Sequence, residues 1–332
     1  MKNVLITGGA GFIGTNLART LLAAGYHIHI LTEQGSSLWR LTDILKNIQI
    51  HEVDLIDFGN VNKLIATVKP EVILHLASFG GFPHQQDQQT IYDVNVSSTI
   101  NLVNACKKTG FDCFINTGSS SEYGIKETPM KESDILEPIS DYGVAKAAAT
   151  NFCLKEALVN KLPIYTIRPF SAYGDFEAMG RLIPTILVNA LTDQPIHLSN
   201  PHNVRDYIYI DDITRMYLEI IRKTPASAHI FNAGTGIQST IQEVVNTVQV
   251  SLGKKLQISW GTHEHGGACE PKHWRADVTQ AKDVLNWRPH DNLSLGINKS
   301  LSWFKNHLNL YPKENGIYAA QPTNNTGTTS SL

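Results

Sequence analysis

The chain is short of charge, of cysteine and of long apolar runs, and each shortage removes a class of function. Charged residues make up 17% of the 332, and 28 Lys+Arg stand against 30 Asp+Glu, for a net charge of −2. That leaves no basic surplus to neutralise a phosphate backbone, so nucleic acid is not expected as a partner. Four cysteines (Cys106, Cys113, Cys153, Cys269) fall at irregular spacings without a C-x-x-C pair. They fit neither a disulfide framework nor a zinc site and read as reduced core residues. His263-Glu264-His265 supplies too few convergent ligands for a metal, and none is expected. Apolar residues never run for the ~18 positions a membrane span needs. Met1-Lys2-Asn3 passes into a short apolar stretch and then into glycines, without a signal-peptide core and cleavage site, so a cytoplasmic protein is expected. The polar stretch Pro322 to Leu332 reads as a disordered tail.

What the chain does have is hydrophobic residues, 42% of the total, arranged in alternating strand and helix patterns. Val4-Leu5-Ile6 is a β-rich run, and Ile13, Leu17 and Leu21 after it share one helix face. Gly25 closes that helix, and Ile28 and Ile30 begin a second strand. Ile48-Gln49-Ile50, Val72-Ile73-Leu74, Phe114-Ile115-Asn116 and Ile164 to Ile167 continue the strands, with helices at Thr99 to Lys108 and Ala145 to Leu158. The alternation predicts an α/β fold with a doubly wound parallel sheet of the Rossmann type. Tyr207 to Ile213 and Ile230-Phe231 read as strands returning to that sheet. The expected division is 1–169 plus about 205–234 for the dinucleotide domain, and about 170–204 plus 235–310 for a smaller lobe over the carboxyl ends of the strands. Residues 311–332 form the tail.

Thr7-Gly8-Gly9-Ala10-Gly11-Phe12-Ile13-Gly14 places Gly8, Gly11 and Gly14 at G-x-x-G-x-x-G spacing between the first strand and the first helix. Glycines there permit a tight turn, close approach of backbone to a pyrophosphate and close helix–strand packing, while the helix N-terminus offers N–H donors. A glycine loop alone is weak, but this context points to a dinucleotide. NAD sites usually carry an acid at the end of the second strand. Here Thr32 holds that place, Glu33 is one step late, and Ser36, Ser37 and Arg40 follow as candidates for a 2′-phosphate. NADP is the expected cofactor, with NAD the alternative if Glu33 rotates in.

Of eleven tyrosines only Tyr142 has Lys at +4, Lys146, which puts phenol and ammonium on one helix face. A cation beside it lowers a phenol pKa toward working pH. Such a pair alone is more often an ordinary surface pair. Upstream, however, the strand Phe114-Ile115-Asn116 dissolves into Thr117-Gly118-Ser119-Ser120-Ser121-Glu122-Tyr123-Gly124, which puts hydroxyls at a strand's carboxyl end.

The glycine turn, Leu74-His75-Leu76-Ala77, Asn95, the Ser119 run with Tyr123-Gly124, Tyr142/Lys146, Arg168-Pro169-Phe170 with Tyr173-Gly174, Val204 to Asp212 and Ala276-Asp277 follow in order over about residues 3 to 305. Together they resemble the extended short-chain dehydrogenase/reductases that act on nucleotide-activated sugars. The resemblance implies Tyr142 as acid/base, Lys146 holding the nicotinamide ribose and Ser119 positioning the reacting oxygen. It implies a cofactor surface that includes Phe12, Ile13, Asp54, Leu55, Leu76, Ala77, Asn95, Thr117 and Pro169. Ser120, Ser121, Arg181 and Arg205 would meet a nucleotide-diphosphate sugar, with Arg205 on the diphosphate. Where sugar dehydratases of the family carry Asp-Glu after the catalytic hydroxyl residue, this chain has Ser120-Ser121, which removes the carboxylates for water elimination. The late-motif arginine is replaced by Gly266-Gly267, so Lys272 or Arg275 would substitute for it, or the diphosphate would be held differently. Hydride transfer at sugar C4 remains. The expectation is an NADP-dependent 4-ketoreductase, with an NAD-retaining 4-epimerase as runner-up and a non-catalytic dinucleotide sensor as a rival from another class. The family commonly dimerises through two helices, here at residues 91–108 and 142–160, so a homodimer is expected.

Overall fold

The computed structural model describes residues 1–261 and 270–311, together with the backbone of Lys313–Glu314 and Ile317–Tyr318. His263-Glu264-His265, Gly266-Gly267, Cys269 and nearly all of the expected tail lie outside the described residues. Seven strands form one parallel sheet: β1 (Asn3–Thr7), β2 (His27–Thr32), β3 (Ile48–Glu52), β4 (Val72–His75), β5 (Cys113–Thr117), β6 (Ile164–Pro169) and a later strand, Ile230–Ala233. From edge to edge the order runs Ile230–Ala233, β6, β5, β4, β1, β2, β3. The chain direction across the sheet reverses between β1 and β4, and the cleft outside the strand ends at such a switch point is where α/β sheets bind ligands.

The strands are buried on both faces because helices cover both. These are α1 (Phe12–Ala23), α2 (Phe58–Val68), the short α3 (Gln88–Tyr92), α4 (Ser98–Thr109) and α5 (Asp141–Asn160). Gly25, at φ +85°, lies just beyond the end of α1, in the left-handed region that glycine enters at no steric cost. Between α3 and α4, Asp93–Ser97 forms a π-helical turn. Downstream come β7 (Ser171–Tyr173), α6 (Leu182–Leu191), β8 (Ile196–Leu198), β9 (Val204–Arg205), β10 (Tyr207–Tyr209) and α7 (Ile210–Lys223). The strand Ile230–Ala233 is β11, followed by β12 (Ser239–Thr240), α8 (Ile241–Leu252), β13 (Ile258–Trp260), α9 (Thr279–Leu285) and α10 (Leu293–His307).

One expectation is corrected here. Tyr207 to Ile213 does not return to the main sheet: Tyr207–Tyr209 pairs in parallel with β7 as a separate ribbon, and Ile210 already begins α7. Asp211 and Asp212 sit in the first turn of α7, where carboxylates suit the helix dipole. Ile210, Ile213, Tyr217 and Ile220 then bury one stripe of that helix. A single apolar cluster runs from Val4, Ile6 and Leu17 through Tyr217 and Phe231 to Ile183, Leu187, Val244 and Phe304. Sheet and downstream helices therefore share one core. Among the described residues no helix is long and apolar enough to cross a membrane. Cys106, Cys113 and Cys153 are free and buried.

Gly124, directly after Tyr123, lies at φ +71°, and a Cβ there would stand 1.9 Å from the Glu137 carbonyl oxygen. The loop leaving β5 is thereby pressed onto the segment that leads into α5. Gly124→Ala should lower the unfolding free energy by about 3 kcal/mol, read from chemical denaturation.

Candidate active site

Backbone geometry builds the floor. Gly8 adopts φ +65°, and a Cβ on it would lie 2.7 Å from Ala77 N, so the turn after β1 is tucked against the end of β4. A Cβ on Gly14 would lie 2.5 Å from Gly8 O, which keeps α1 tight on that turn. Gly11 is the N-cap of α1 with no side-chain cap, and its own carbonyl accepts from Thr15 N at 3.0 Å. The first-turn N–H groups at Phe12 and Ile13 thus open onto the cleft without a side chain to satisfy them, as an anion-binding helix start requires. This cradle fits a dinucleotide pyrophosphate.

At the strand ends, Thr7 Oγ1 lies 2.7 Å from His75 Nδ1 and accepts from the backbone N–H of Leu76 and Ala77, each at 3.2 Å. His75 Nε2 lies 2.9 Å from Thr99 Oγ1, whose proton goes to Asn95 O. Because Thr99 spends its only proton there, His75 donates through Nε2 and accepts from Thr7 through Nδ1. Burial, with Lys146 nearby, pushes His75 down to about 3, so the ring is neutral. Asn95 sits in the π-helical turn, donates to Phe79 O and Ile91 O, and keeps a buried Oδ1 without a partner. π-turns of this kind are frequent at functional sites.

The adenosine end differs from expectation. Thr32 is buried, and its carbonyl accepts from Val53 N. Glu33 is exposed just beyond it, and burial of its carboxyl together with the Asp54 charge raises its pKa. Glu33, Gln34, His51, Asp54 and Lys63 line a cavity of about 740 Å³ outside β2 and β3. Asp54 also accepts from Ile56 N at 3.0 Å, and Leu55 is buried beside it. Ser36 N closes a turn onto Glu33 O, and Ser37 is exposed. Arg40 is a correction. Its Nε donates to Phe176 O at 2.7 Å, Nη1 reaches Ala10 O at 3.4 Å, and the guanidinium lies 4.4 Å from the Trp39 ring centroid. It ties the loop after β2 to a downstream segment instead of facing a 2′-phosphate. Thr117 is also diverted, its hydroxyl 2.6 Å from that of Tyr217. Pro169 ends β6 opposite Ala233 of β11.

The chemical centre forms where β5 and α5 meet. Ser140 Oγ caps α5 by accepting from Gly143 N at 3.1 Å, which fixes Tyr142 in the first turn. The Ser119 hydroxyl accepts from Ser121 N at 3.1 Å and lies beside the Tyr142 hydroxyl, as does that of Ser78, a residue the sequence did not flag. Ser120 is buried, while Ser119 and Ser121 stay partly open. Lys146 is 3% exposed, and burial pulls its pKa down to about 8 against the field of Glu122. Burial raises the Tyr142 phenol overall; Ser119, Arg181 and Ser78 act against the rise, and Glu122 adds to it. The expected lowering of the phenol is therefore not present in the protein alone, because burial of the phenol outweighs the neighbours that oppose it.

The expected arginines have other partners. Arg181 Nη2 donates to Gly81 O at 2.8 Å, and its guanidinium lies 4.1 Å from the Phe82 ring centroid. A Cβ on neighbouring Gly80 would lie 3.4 Å from the Tyr142 ring, so this loop rests on the phenol. Arg205 pairs with Glu270 at 2.9 Å and donates to Val204 O. Arg275 keeps a buried Nε without a hydrogen-bond partner. Glu122 does not supply the missing dehydratase carboxylate, because it is fully buried against Arg168.

A glycine-cradled helix start, an acid-lined pocket at the β2 end and a Ser–Tyr–Lys centre at the switch point define a nicotinamide-dinucleotide enzyme of the extended short-chain dehydrogenase/reductase type. The chain belongs to the NAD dependent epimerase/dehydratase family, whose sequence profile matches residues 4–234. The UDP-glucuronate 4-epimerase of Thermodesulfobacterium geofontis is 25% identical over 322 residues, covering 93% of this chain and 98% of that one. The UDP-glucuronic acid 4-epimerase of Bacillus cereus, solved with UDP-glucuronic acid and NAD, superposes with a TM-score of 0.80 at 25% identity, covering 92% of this chain and 99% of that one. The UDP-glucose 4-epimerase of Thermotoga maritima shares the fold at a TM-score of 0.83, with 24% identity and coverage of 92% and 99%.

The neutral, buried His75 gives a pH prediction. Its folded pKa lies below the unfolded ~6.5, so the unfolded chain binds the extra proton and stability is lost as pH falls from about 6.5 toward 3. Relative to wild type, His75→Gln should lose up to about 1.4 kcal/mol less stability per pH unit between pH 6 and 4.5, measured by urea denaturation.

Proposed function

We propose that this enzyme is an NAD-dependent nucleotide-sugar 4-epimerase acting on a UDP-sugar. The observation that carries the reading is the paired acidic edge of the adenosine pocket, Glu33 beside Asp54, with Arg40 committed to Phe176 O. A 2′-phosphate would meet two carboxylates there, whereas a ribose hydroxyl would find acceptors. An enzyme that holds NAD fits a cycle in which the cofactor is not exchanged. The 4-epimerase relatives favour the same choice over the reductase that the sequence first suggested.

The chain's own groups suit that cycle. Gly8, Gly11, Gly14 and the start of α1 would hold the pyrophosphate, Glu33 and Asp54 the adenosine, and Lys146 the nicotinamide ribose. The bound dinucleotide supplies a hydride acceptor at one stage and a donor at the next. Tyr142 takes the proton from the sugar 4-hydroxyl and returns it to the same oxygen once the opposite face of C4 is presented. Ser119, hydrogen-bonded beside Tyr142, orients that oxygen. Lys146, held short of full basicity, keeps a positive charge near the phenol when Tyr142 loses its proton. Residues of the downstream segments, including Arg181 and the incompletely satisfied Arg275, would meet the nucleotide diphosphate, with Arg205 joining once it leaves Glu270.

Purified protein should release NAD on denaturation and interconvert a UDP-sugar with its C4 epimer, with no net change in nicotinamide absorbance. Extraction of NADP, or stoichiometric oxidation of added NADPH by a 4-keto sugar, would overturn the reading. Tyr142→Phe should reduce turnover about 10³-fold while NAD binding stays within a few-fold. By calorimetry NAD should bind at least tenfold more tightly than NADP, and Glu33→Ala should narrow that ratio.

A further inference from the structure

Glu122, a member of the serine run, is sealed directly behind Ser119. It is 0% exposed. One carboxylate oxygen accepts from Ser119 N at 2.8 Å and from Thr150 Oγ1 at 3.0 Å; the other accepts from Arg168 Nε at 2.8 Å. All three partners are donors, which favour the ionised carboxylate and oppose the burial that raises its pKa. Even the residue beforehand makes room, since a Cβ on Gly118 would stand 2.4 Å from Glu122 Oε1. Arg168 is equally buried, and its second nitrogen donates to the Tyr123 hydroxyl at 2.8 Å, which in turn donates to Asn232.

Thr150 places this charge relative to the reaction. Tyr142, Lys146 and Thr150 are spaced by four on α5 and share one face. A carboxylate bonded to Thr150 therefore lies one helical turn beyond the Lys146 ammonium, and the same carboxylate grips the backbone of Ser119. We propose that Glu122 is the positioning residue of the centre: it fixes Ser119 from behind and supplies the fixed negative field that keeps Lys146 protonated next to Tyr142. This rests on the epimerase reading only for what the centre acts upon. The groups facing Lys146 are Glu122, Cys153 and the neutral His75. Those facing Tyr142 are Ser119, Ser78, Arg181 and again Glu122. Glu122 is the anion common to both sets.

Glu122→Gln alone strands the Arg168 guanidinium without a counter-charge, and its amide would meet the Arg168 N–H donor to donor, so the variant is open to misfolding. Glu122→Gln combined with Arg168→Met avoids this. The amide oxygen still accepts from Ser119 and Thr150 while the charge is gone. Two measurements apply to that double variant. Side-chain ¹⁵N NMR of Lys146 in protein stripped of nucleotide, assigned against Lys146→Met, should show its midpoint falling from about 8 by about one pH unit. The alkaline limb of the kcat–pH profile of the NAD-loaded enzyme should fall by the same amount, with KM for the sugar nearly unchanged. Glu122→Asp, which keeps the charge but withdraws it by a methylene, should restore the Lys146 midpoint yet keep a lowered kcat through the lost Ser119 contact. A merely structural role would lower activity equally at every pH and leave both midpoints in place; that result, or an unmoved Lys146 midpoint in a folded double variant, would overturn the proposal. The nucleotide-free NMR midpoint does not depend on the substrate, so a wrong sugar assignment would not disturb it.

Discussion

A carboxyl group held away from water against a guanidinium is the constraint around which this centre is arranged. Removing both charges from solvent costs several kcal/mol per ion, and only close geometry with every remaining lone pair satisfied recovers it. Glu122 and Arg168 meet that condition through Ser119 N, Thr150, Tyr123 and Asn232. The network ties the loop after β5, the middle of α5, β6 and β11 to one set of hydrogen bonds. The reacting hydroxyls stand on its open side. Burial lowers the pKa of Lys146, raises that of Tyr142 and makes the Glu122–Arg168 pair demanding, so these acid–base properties have one origin.

The cofactor side is built by backbone more than by side chains. Two turns are held so close that no Cβ fits at Gly8 or Gly14, and Thr7 gathers the N–H groups of Leu76 and Ala77 onto one oxygen. Arg40 and Arg181 both act as ties between segments. The first joins the loop after β2 to Phe176, and the second joins the start of α6 to the loop lying on Tyr142. At the β2 end the cavity is edged instead by the carboxylates of Glu33 and Asp54.

The parallel strands were legible because burial on both faces leaves continuous apolar runs such as Val72-Ile73-Leu74, and the glycine turn was legible because its spacing is local. Tyr207 to Ile213, read as a strand of the main sheet, is a strand of a separate ribbon only to Tyr209 and helix from Ile210, since a short apolar, β-branched run is ambiguous between strand and helix start. The Asp211-Asp212 pair was the available signal for a helix. The roles of Arg40 and Glu122 were not legible. Arg40 meets a carbonyl 136 positions away, and Glu122 meets partners 28 and 46 positions away, so charge type alone could not say whether either faces a ligand or the interior. The preference for NAD proposed above rests in part on the same long-range commitment of Arg40.

The shared apolar core has a thermodynamic consequence. A cluster that includes both Val4 of the first strand and Phe304 of the last described α-helix joins the sheet to the downstream helices through one body of apolar contacts. A core shared in this way favours unfolding as one cooperative transition.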